Sequence, residues 1–309
     1  MSENKTKPDL NIEIAGIKWK NPVTVASGTF GSGMEYEDFV DLNKLGAITT
    51  KGVATYPWEG NNTIRVAETA SGMLNAIGLQ NPGLDTFTKR DIPFLNRFDT
   101  VKIVNVVGKS IEEYVSAVEI LSEQPVDMLE INISCPNVKE GGIAFGQDPK
   151  AAAEVTQAVK KASSKPVIMK LSPNVTSISE MAKAVEAAGA DAVSLINTLT
   201  GMKIDINRKA FTLANKTGGL SGPAIKPVAV RMVYETAQAV NIPIIGMGGI
   251  ACAEDAIEFL LAGASAVSVG TANFRNPGVT LEIIEGIEEY MQRQGLQSVR
   301  EIVGAVSCQ

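Results

Sequence analysis

Met128-Leu129-Glu130-Ile131-Asn132-Ile133-Ser134-Cys135-Pro136-Asn137 is the stretch whose reading decides the fold. Apolar and β-branched side chains at Met128, Leu129, Ile131 and Ile133 predict a buried strand. It must end at Cys135-Pro136-Asn137, because proline fixes φ and has no backbone donor. A glycine-rich segment, Lys139-Glu140-Gly141-Gly142-Ile143-Ala144-Phe145-Gly146, follows. A thiol therefore stands just past the C-terminal end of a strand, at the root of a loop, with the amide of Asn132 beneath it. A cysteine so placed is equally well a small buried hydrophobe. What the other strands bring to the same edge has to decide.

Seven more apolar runs flank this one: Pro22–Ala26, Ala47–Gly52, Val101–Gly108, Pro166–Leu171, Ala192–Thr198, Ile242–Gly246 and Ala266–Gly270. Helical patterns separate them, over Tyr36–Leu45, Pro149–Ala162, Ile178–Ala188, Ala224–Ala239, Ala253–Leu261 and Thr280–Gln294. Another places Ile111, Tyr114, Val115 and Val118 on one face, behind a capping box of Ser110 and Glu113. Gly189 is placed to end its helix as the C′ residue. Strands apolar along their whole length are buried on both faces, as parallel strands are. Eight of them alternating with helices predict an α/β fold, a (β/α)8 TIM barrel, with a doubly wound open sheet as the alternative. The alternation of Leu10, Ile12 and Ile14, then Ala15-Gly16 and Ile17-Lys18-Trp19, adds an N-terminal β-hairpin that covers one end. Two connections, Ala54 to Asn96 and Leu199 to Pro223, exceed simple strand-to-helix loops. Both follow strands, so both are long insertions at the C-terminal rim. The chain reads as one domain over 1–309 with a polar tail at 1–9.

Composition narrows the chemistry. The chain has 309 residues, net charge −6 and 0 histidines. Serine or cysteine nucleophiles paired with histidine are excluded, and so are the usual zinc and non-haem iron sites. The 3 cysteines, Cys135, Cys252 and Cys308, are scattered, which argues against a disulfide framework or a self-held iron–sulfur cluster and fits a reducing cytoplasm. No basic, aromatic-rich stretch points to nucleic acid. The polar N-terminus has no signal-peptide pattern, and no apolar run is long enough to span a bilayer.

The strand ends carry the function. They read Ser27-Gly28, Lys51-Gly52, Asn105, Asn132 with Cys135, Lys170, Asn197-Thr198, Gly248-Gly249 and Gly270-Thr271. In a barrel these converge on one mouth. Two lysines and three asparagines inside apolar strands need partners, and so many on one rim predict a binding site rather than isolated satisfied core groups. Gly246-Met247-Gly248-Gly249-Ile250 and Gly270-Thr271 follow the last two strands, where glycines let backbone N–H groups approach a phosphate. The first run also matches GxGxxA, but no acidic residue ends the next strand to hold a ribose. A mononucleotide phosphate fits better than NAD. Together with the lysines and amides this suggests FMN, with Lys170 compensating charge on the reduced ring, the alternative for Lys170 being a Schiff-base or salt-bridged lysine. Asn75, Asn132, Asn197 and Thr198 suit a flat polar ring, and Lys51 suits an anionic group on it.

These separated motifs resemble class 1 dihydroorotate dehydrogenases, catalytic subunit. The resemblance runs from about Ile12 to Val303. It rests on Ala26-Ser27-Gly28, Thr50-Lys51-Gly52, Asn75-Ala76-Ile77-Gly78-Leu79, Asn132 to Asn137, Lys170-Leu171-Ser172-Pro173, Asn197-Thr198, Ser221-Gly222-Pro223 and Gly246 to Ile250. It implies a barrel holding FMN, with Cys135 as the base that removes a proton from C5 of dihydroorotate while hydride leaves C6. It further implies that Lys51, Asn75, Ala76, Ile77, Gly78, Leu79, Asn132, Asn197 and Thr198 hold dihydroorotate or orotate. Ser27, Lys51, Gly52, Asn105, Asn132, Lys170, Ile196, Gly222, Gly248, Gly249, Gly270 and Thr271 would surround FMN, and no metal is implied. A cysteine base distinguishes this class from the membrane-associated class 2 enzymes, which use serine. Gly72 to Gly83 and Val138 to Gly142 are similar to subclass B. That subclass passes electrons to NAD through a partner carrying FAD and a [2Fe–2S] cluster, in a heterotetramer with two copies of each chain. The alternatives are a fumarate-using subclass A homodimer, a tRNA dihydrouridine synthase, which should carry a basic RNA-binding face, and a non-enzymatic flavin-binding module, which leaves the thiol unexplained. The glycines at 141, 142 and 146 predict a loop that closes over substrate.

Overall fold

The computed structural model describes residues 7–134 and 145–307. Eight parallel strands form one sheet; numbered one to eight along the chain they are Val23–Val25, Ala47–Thr49, Val101–Val106, Met128–Asn132, Val167–Lys170, Ala192–Leu195, Ile244–Met247 and Ala266–Val269, and they lie side by side in the order one, eight, seven, six, five, four, three, two. Apart from the wrap between first and last, each strand lies beside its neighbour in sequence, so the chain goes round once. At the seam Gly46 N donates to Val23 O at 3.1 Å, and the hydroxyls of Thr24 and Thr49 lie 3.2 Å apart in the interior. These contacts bring the sheet nearly to closure as the (β/α)8 barrel that the apolar runs predict.

The helices follow their sequence signals closely. Pro149–Ala162 and Ala253–Leu261 have the predicted bounds, and Asp148 caps the former by accepting from Ala151 N. Ser110 caps Ile111–Ser122 from the predicted position, but Glu113 accepts from Lys109 N rather than from Ser110 N, so only half of the capping box forms. Gly189 takes φ +100° just after Ile178–Ala187. One helix is corrected: Tyr36–Leu45 is a set of turns ending in a single 3-10 turn, Leu42–Lys44. Asp41 is extended there, and its carboxylate accepts from Asn43 N, which starts a new cap where the helix would have continued. Tyr36 turns inward to stack on Phe30 at 4.0 Å and donates its hydroxyl to Thr29 O.

The N-terminal hairpin, Ile12–Ile14 with Ile17–Trp19, buries Ile12, Ile14 and Trp19 in the same core as Ile103 and Met128. The two long insertions do more than lie over the rim. Val66–Thr69 and Gly72–Asn75 from the first pair with Leu199–Met202 and Thr217–Ser221 from the second in one four-stranded antiparallel sheet. A buried cluster of Ala67, Leu74, Ala76 and Leu213 underlies it.

Strand register fixes what points inward. Asn105 is level with Glu130, Asn132 with Lys170, and Lys170 with Ser194. Side chains alternate along a strand, so the inward pairs read Ile103 then Asn105, Met128 then Glu130, Ile168 then Lys170, Ala192 then Ser194, Ala266 then Ser268. In every pair the residue nearer the C-terminal end is polar. Along these five strands the interior is thus apolar towards the strand starts and polar towards the mouth.

Candidate active site

Glu130 is the centre of the polar layer. It is 2 % exposed. Asn105 Nδ2 donates to its Oε2 at 2.5 Å, Ser194 Oγ donates to its Oε1 at 2.7 Å, and Lys170 Nζ lies 3.7 Å from Oε2. Lys170 is buried as well and donates to Ser27 Oγ at 3.2 Å. A buried carboxylate is tolerable only when paired and hydrogen-bonded, and this one is both. Sequence reasoning assigned nothing to Glu130 or Ser194. The signal was there in Glu130, one carboxylate in a strand otherwise apolar up to Asn132, but its partners become visible only through the register of three other strands.

Strands one to three meet this network at the mouth. A Cβ built on Gly28 would stand 3.5 Å from Lys51 Nζ, and one on Gly52 would stand 2.7 Å from Asn105 Oδ1. Ser27, Lys51, Gly52, Asn105 and Lys170 are therefore one neighbourhood, as the convergence of strand ends predicts. Asn105 Oδ1 is buried and has no hydrogen-bond partner in the protein.

A second chain of contacts joins the residues expected to hold substrate. Ser134 donates to Asn132 Oδ1 at 2.6 Å and accepts from Asn197 Nδ2. Asn197 Oδ1 accepts from Thr198 N at 2.7 Å. The Thr198 side chain packs on Gly219, where a Cβ would be 2.6 Å from Thr198 Cβ, and Gly219 O accepts from Asn75 Nδ2 at 3.3 Å. Asn75, Asn132, Asn197 and Thr198 are thereby linked through Ser134 and Gly219, neither of which the sequence reading assigned as a site residue. Asn174 supports them as well: its Nδ2 donates to Thr198 O at 3.0 Å. The expected run 76–79 is tied instead to Asn61, which donates from its side chain to Ala76 O and from its backbone to Ile77 O, both at 2.9 Å; Gly78 and Leu79 then turn through φ +77° and +54°.

The opposite side of the mouth is built from backbone. Gly248 and Gly249 follow strand seven at φ +127° and +86°. A Cβ on Gly249 would lie 2.8 Å from Lys226 Cβ and 2.9 Å from Gly222 O, and one on Gly248 would lie 3.2 Å from Ile196 Cγ1. Gly222 precedes the 3-10 turn Pro223–Ile225, and the helix Lys226–Ala237 follows it. Thr271, next to Gly270, donates to Ser221 Oγ at 2.7 Å. Gly222, Gly248-Gly249 and Gly270-Thr271 thus sit together at the ends of strands seven and eight. Behind them Lys226 Nζ pairs at 2.7 Å with both Asp255 and Glu258, while Ala251 N donates to Asp255. These bonds pin the segment after Gly249.

Cys135 and the rest of the loop over 135–144, including Gly141 and Gly142, lie outside the described residues. The described chain stops at buried Ser134 and resumes at Phe145. A Cβ on Gly146 would be 2.5 Å from Ile133 O, so the two ends meet at the tip of strand four. Among the described residues no cluster of three or more His, Cys, Asp or Glu could hold a metal, and no helix is long and apolar enough to cross a membrane.

Comparison with known proteins agrees with this architecture. The sequence family described as dihydroorotate dehydrogenase matches residues 9–291. A protein of Lachnoclostridium phytofermentans named dihydroorotate dehydrogenase B (NAD(+)), catalytic subunit, is 67% identical over 96% of this chain and 99% of its own. Proteins of the same name from Alkaliphilus oremlandii and Alkaliphilus metalliredigens are 59% and 58% identical, each over 97% of this chain and 99% or more of their own. A family match that spans nearly the whole barrel, with relatives this similar end to end, makes the chain a member of the dihydroorotate dehydrogenase family.

Proposed function

We propose that the chain is a single FMN-binding domain that oxidises (S)-dihydroorotate to orotate, a step of pyrimidine biosynthesis, and that its electrons reach NAD through a second subunit. The observation that carries the reading is the mouth itself: a buried Lys170–Glu130–Asn105 network on one side faces a cradle of glycines on the other. FMN fits both. Asn105 Oδ1 is a buried acceptor that needs a donor, and the positive-φ glycines at 222, 248 and 249 place backbone rather than side chains at this edge, which suits a phosphate. Ser27, Lys51, Gly52, Asn105, Asn132, Lys170, Ile196, Gly222, Gly248, Gly249, Gly270 and Thr271 would hold it. When bound it supplies a two-electron acceptor for hydride.

The protein supplies orientation and proton transfer. Asn75, Asn132, Asn197 and Thr198 offer amide and hydroxyl groups to a flat, uncharged ring, Lys51 offers a cation to its carboxylate, and the segment from Ala76 to Leu79 closes one side. Cys135, directly after buried Ser134 at the tip of strand four, is the base that takes a proton from C5. Its thiolate is the active form, so the rate of substrate oxidation should rise with pH as the thiol ionises.

The names of the relatives, catalytic subunits of an NAD(+)-linked enzyme, support a partner that carries FAD and a [2Fe–2S] cluster. With 3 scattered cysteines this chain has too few thiolates for an ordinary cluster of its own. Exposed Ile64, Met202, Ile204, Ile206 and Phe211 on the two rim insertions add apolar surface suited to a protein contact. We read the assembly as two copies of each subunit, in the cytoplasm. The test is steady-state oxidation of dihydroorotate by FMN-loaded protein, with NAD or fumarate as acceptor, with and without the iron–sulfur flavoprotein. The isolated chain should bleach its own flavin yet reduce NAD negligibly, and the partner should restore NAD reduction. Rapid turnover with fumarate alone would remove the partner from the proposal, and a chain that takes up no FMN would remove the flavin.

A further inference from the structure

We infer that Glu130 is a positioning residue: its carboxylate fixes the orientation of the Asn105 amide, so that only Oδ1 is presented to the cofactor site. The inference rests on the flavin reading above and extends it to a residue with no assigned role.

An asparagine amide is nearly symmetric in shape, and turning it over exchanges a donor for an acceptor. Left alone, Asn105 could present either. An ionised carboxylate, by contrast, only accepts. Glu130 Oε2 therefore takes Nδ2, at 2.5 Å, and leaves Oδ1 pointing the other way. Oδ1 is buried with no partner in the protein, and the residue in front of it is Gly52, where a Cβ would come within 2.7 Å. The protein has thus built a buried acceptor and packed against it a residue with no side chain. An unpaired buried acceptor is costly, which favours a ligand N–H there. Glu130 is itself held against rotation by Ser194 Oγ at 2.7 Å and faces Lys170 Nζ at 3.7 Å. Its three partners come from strands three, five and six, so the orientation of Asn105 depends on closure of the barrel. A carboxylate that served only to neutralise Lys170 would not need Asn105 to be an amide.

That distinction gives the experiment. FMN affinity is measured by flavin fluorescence on the apo-protein, with circular dichroism melts to confirm folding. Glu130→Gln offers an amide in place of the carboxylate and frees Asn105 to turn over; its affinity should fall about tenfold or more, the scale of mispairing one buried polar group. In the double variant Glu130→Gln with Asn105→Asp the roles are exchanged. The new amide at position 130 donates to the new carboxylate at 105 while its oxygen still accepts from Ser194. The second carboxylate oxygen is again an acceptor, and the net charge with Lys170 is unchanged. Affinity should return to within about threefold of the wild type, less than one neutral hydrogen bond. A Glu130→Gln protein that binds as tightly as wild type, or a double variant no better than Glu130→Gln, overturns the assignment while leaving the flavin reading intact. A wild-type chain that takes up no FMN overturns both. If Glu130→Gln does not fold, the double variant alone decides: affinity within about threefold of the wild type supports the assignment, and a roughly tenfold loss in the folded double variant overturns it.

Discussion

The two sides of the barrel mouth solve the same problem by different means. Strands three to six line it with side chains that are charged or carry amides and hydroxyls: Asn105, Glu130, Asn132, Lys170 and Ser194. Strands seven and eight end instead in residues without side chains, Gly248-Gly249 and Gly270. The first side can tune protonation and charge, because each group has a fixed donor or acceptor role. The second can only bind, through N–H groups whose direction is set by backbone angles. Substitutions on the side-chain face can therefore change the chemistry itself, alone or together with cofactor fit, whereas those on the backbone face should weaken the cofactor and leave the chemistry unchanged.

The sharpest test of that contrast is Cys135→Ala. The flavin should stay bound, while its reduction by dihydroorotate slows by about two powers of ten or more, the usual loss for a positioned base. Stopped-flow bleaching of the flavin measures it, and near-normal reduction would return Cys135 to a packing role. Next in size is Gly249→Ala on the backbone side. Its φ is +86°, and the added methyl would stand 2.9 Å from Gly222 O. Strain of about 1–3 kcal/mol should appear as weaker FMN binding by roughly tenfold. Protein saturated with FMN should then reduce its flavin at close to the wild-type rate. A large rate defect at saturation would mean that the backbone side also takes part in the chemistry.

The smallest effect tests what lies beneath the glycines. Lys226→Met removes two partly exposed ion pairs and should cost about 1 kcal/mol, a shift of a few degrees in thermal unfolding. Its pH dependence has a defined sign. Burial by itself would raise the Asp255 carboxyl, but hydrogen bonds from Lys226 and from Ala251 N outweigh it and hold the group below the ordinary carboxylate range. Hydrogen bonds to Asp255 and Glu258 push Lys226 above its ordinary range. The Asp255 contribution is fully present above the unfolded carboxyl's titration and is lost as pH falls through the folded value. The Lys226 contribution is present below the ordinary lysine range and is lost only as pH rises through its raised folded value. The difference in melting temperature between wild type and Lys226→Met should therefore be full at neutral pH and shrink in acid. A gap that widens in acid would contradict the pairing.

What could be read in the sequence followed from local rules. Eight apolar runs specify eight buried parallel strands because strands covered on both faces tolerate little else. Pro149–Ala162 is delimited by Asp148 and by its own periodicity. The convergence of Lys51, Asn105, Asn132 and Lys170 follows from topology once the barrel is inferred. What could not be read depends on distant partners. The rim sheet pairs Asn75 with Gly219, and neither insertion has a periodicity that announces its strands. Glu130 stood in plain view, but its meaning lies in Asn105, Lys170 and Ser194 on other strands. Tyr36–Leu45 misled because its apolar spacing suits a helix, while the local bond from Asn43 N to Asp41 ends one.

The rim sheet has a consequence for how this barrel can be altered. Because the insertion after strand two and the insertion after strand six share one ladder, they are a single exchangeable part. Shortening either would strip the other of backbone partners along Met73–Asn75 and Gly219–Ser221, a loss that no repacking within one loop could restore. Loops after barrel strands are usually regarded as independently replaceable modules. Here a graft that respects the fold has to carry both insertions together, and in hydrogen exchange the pair should open as one cooperative unit rather than two.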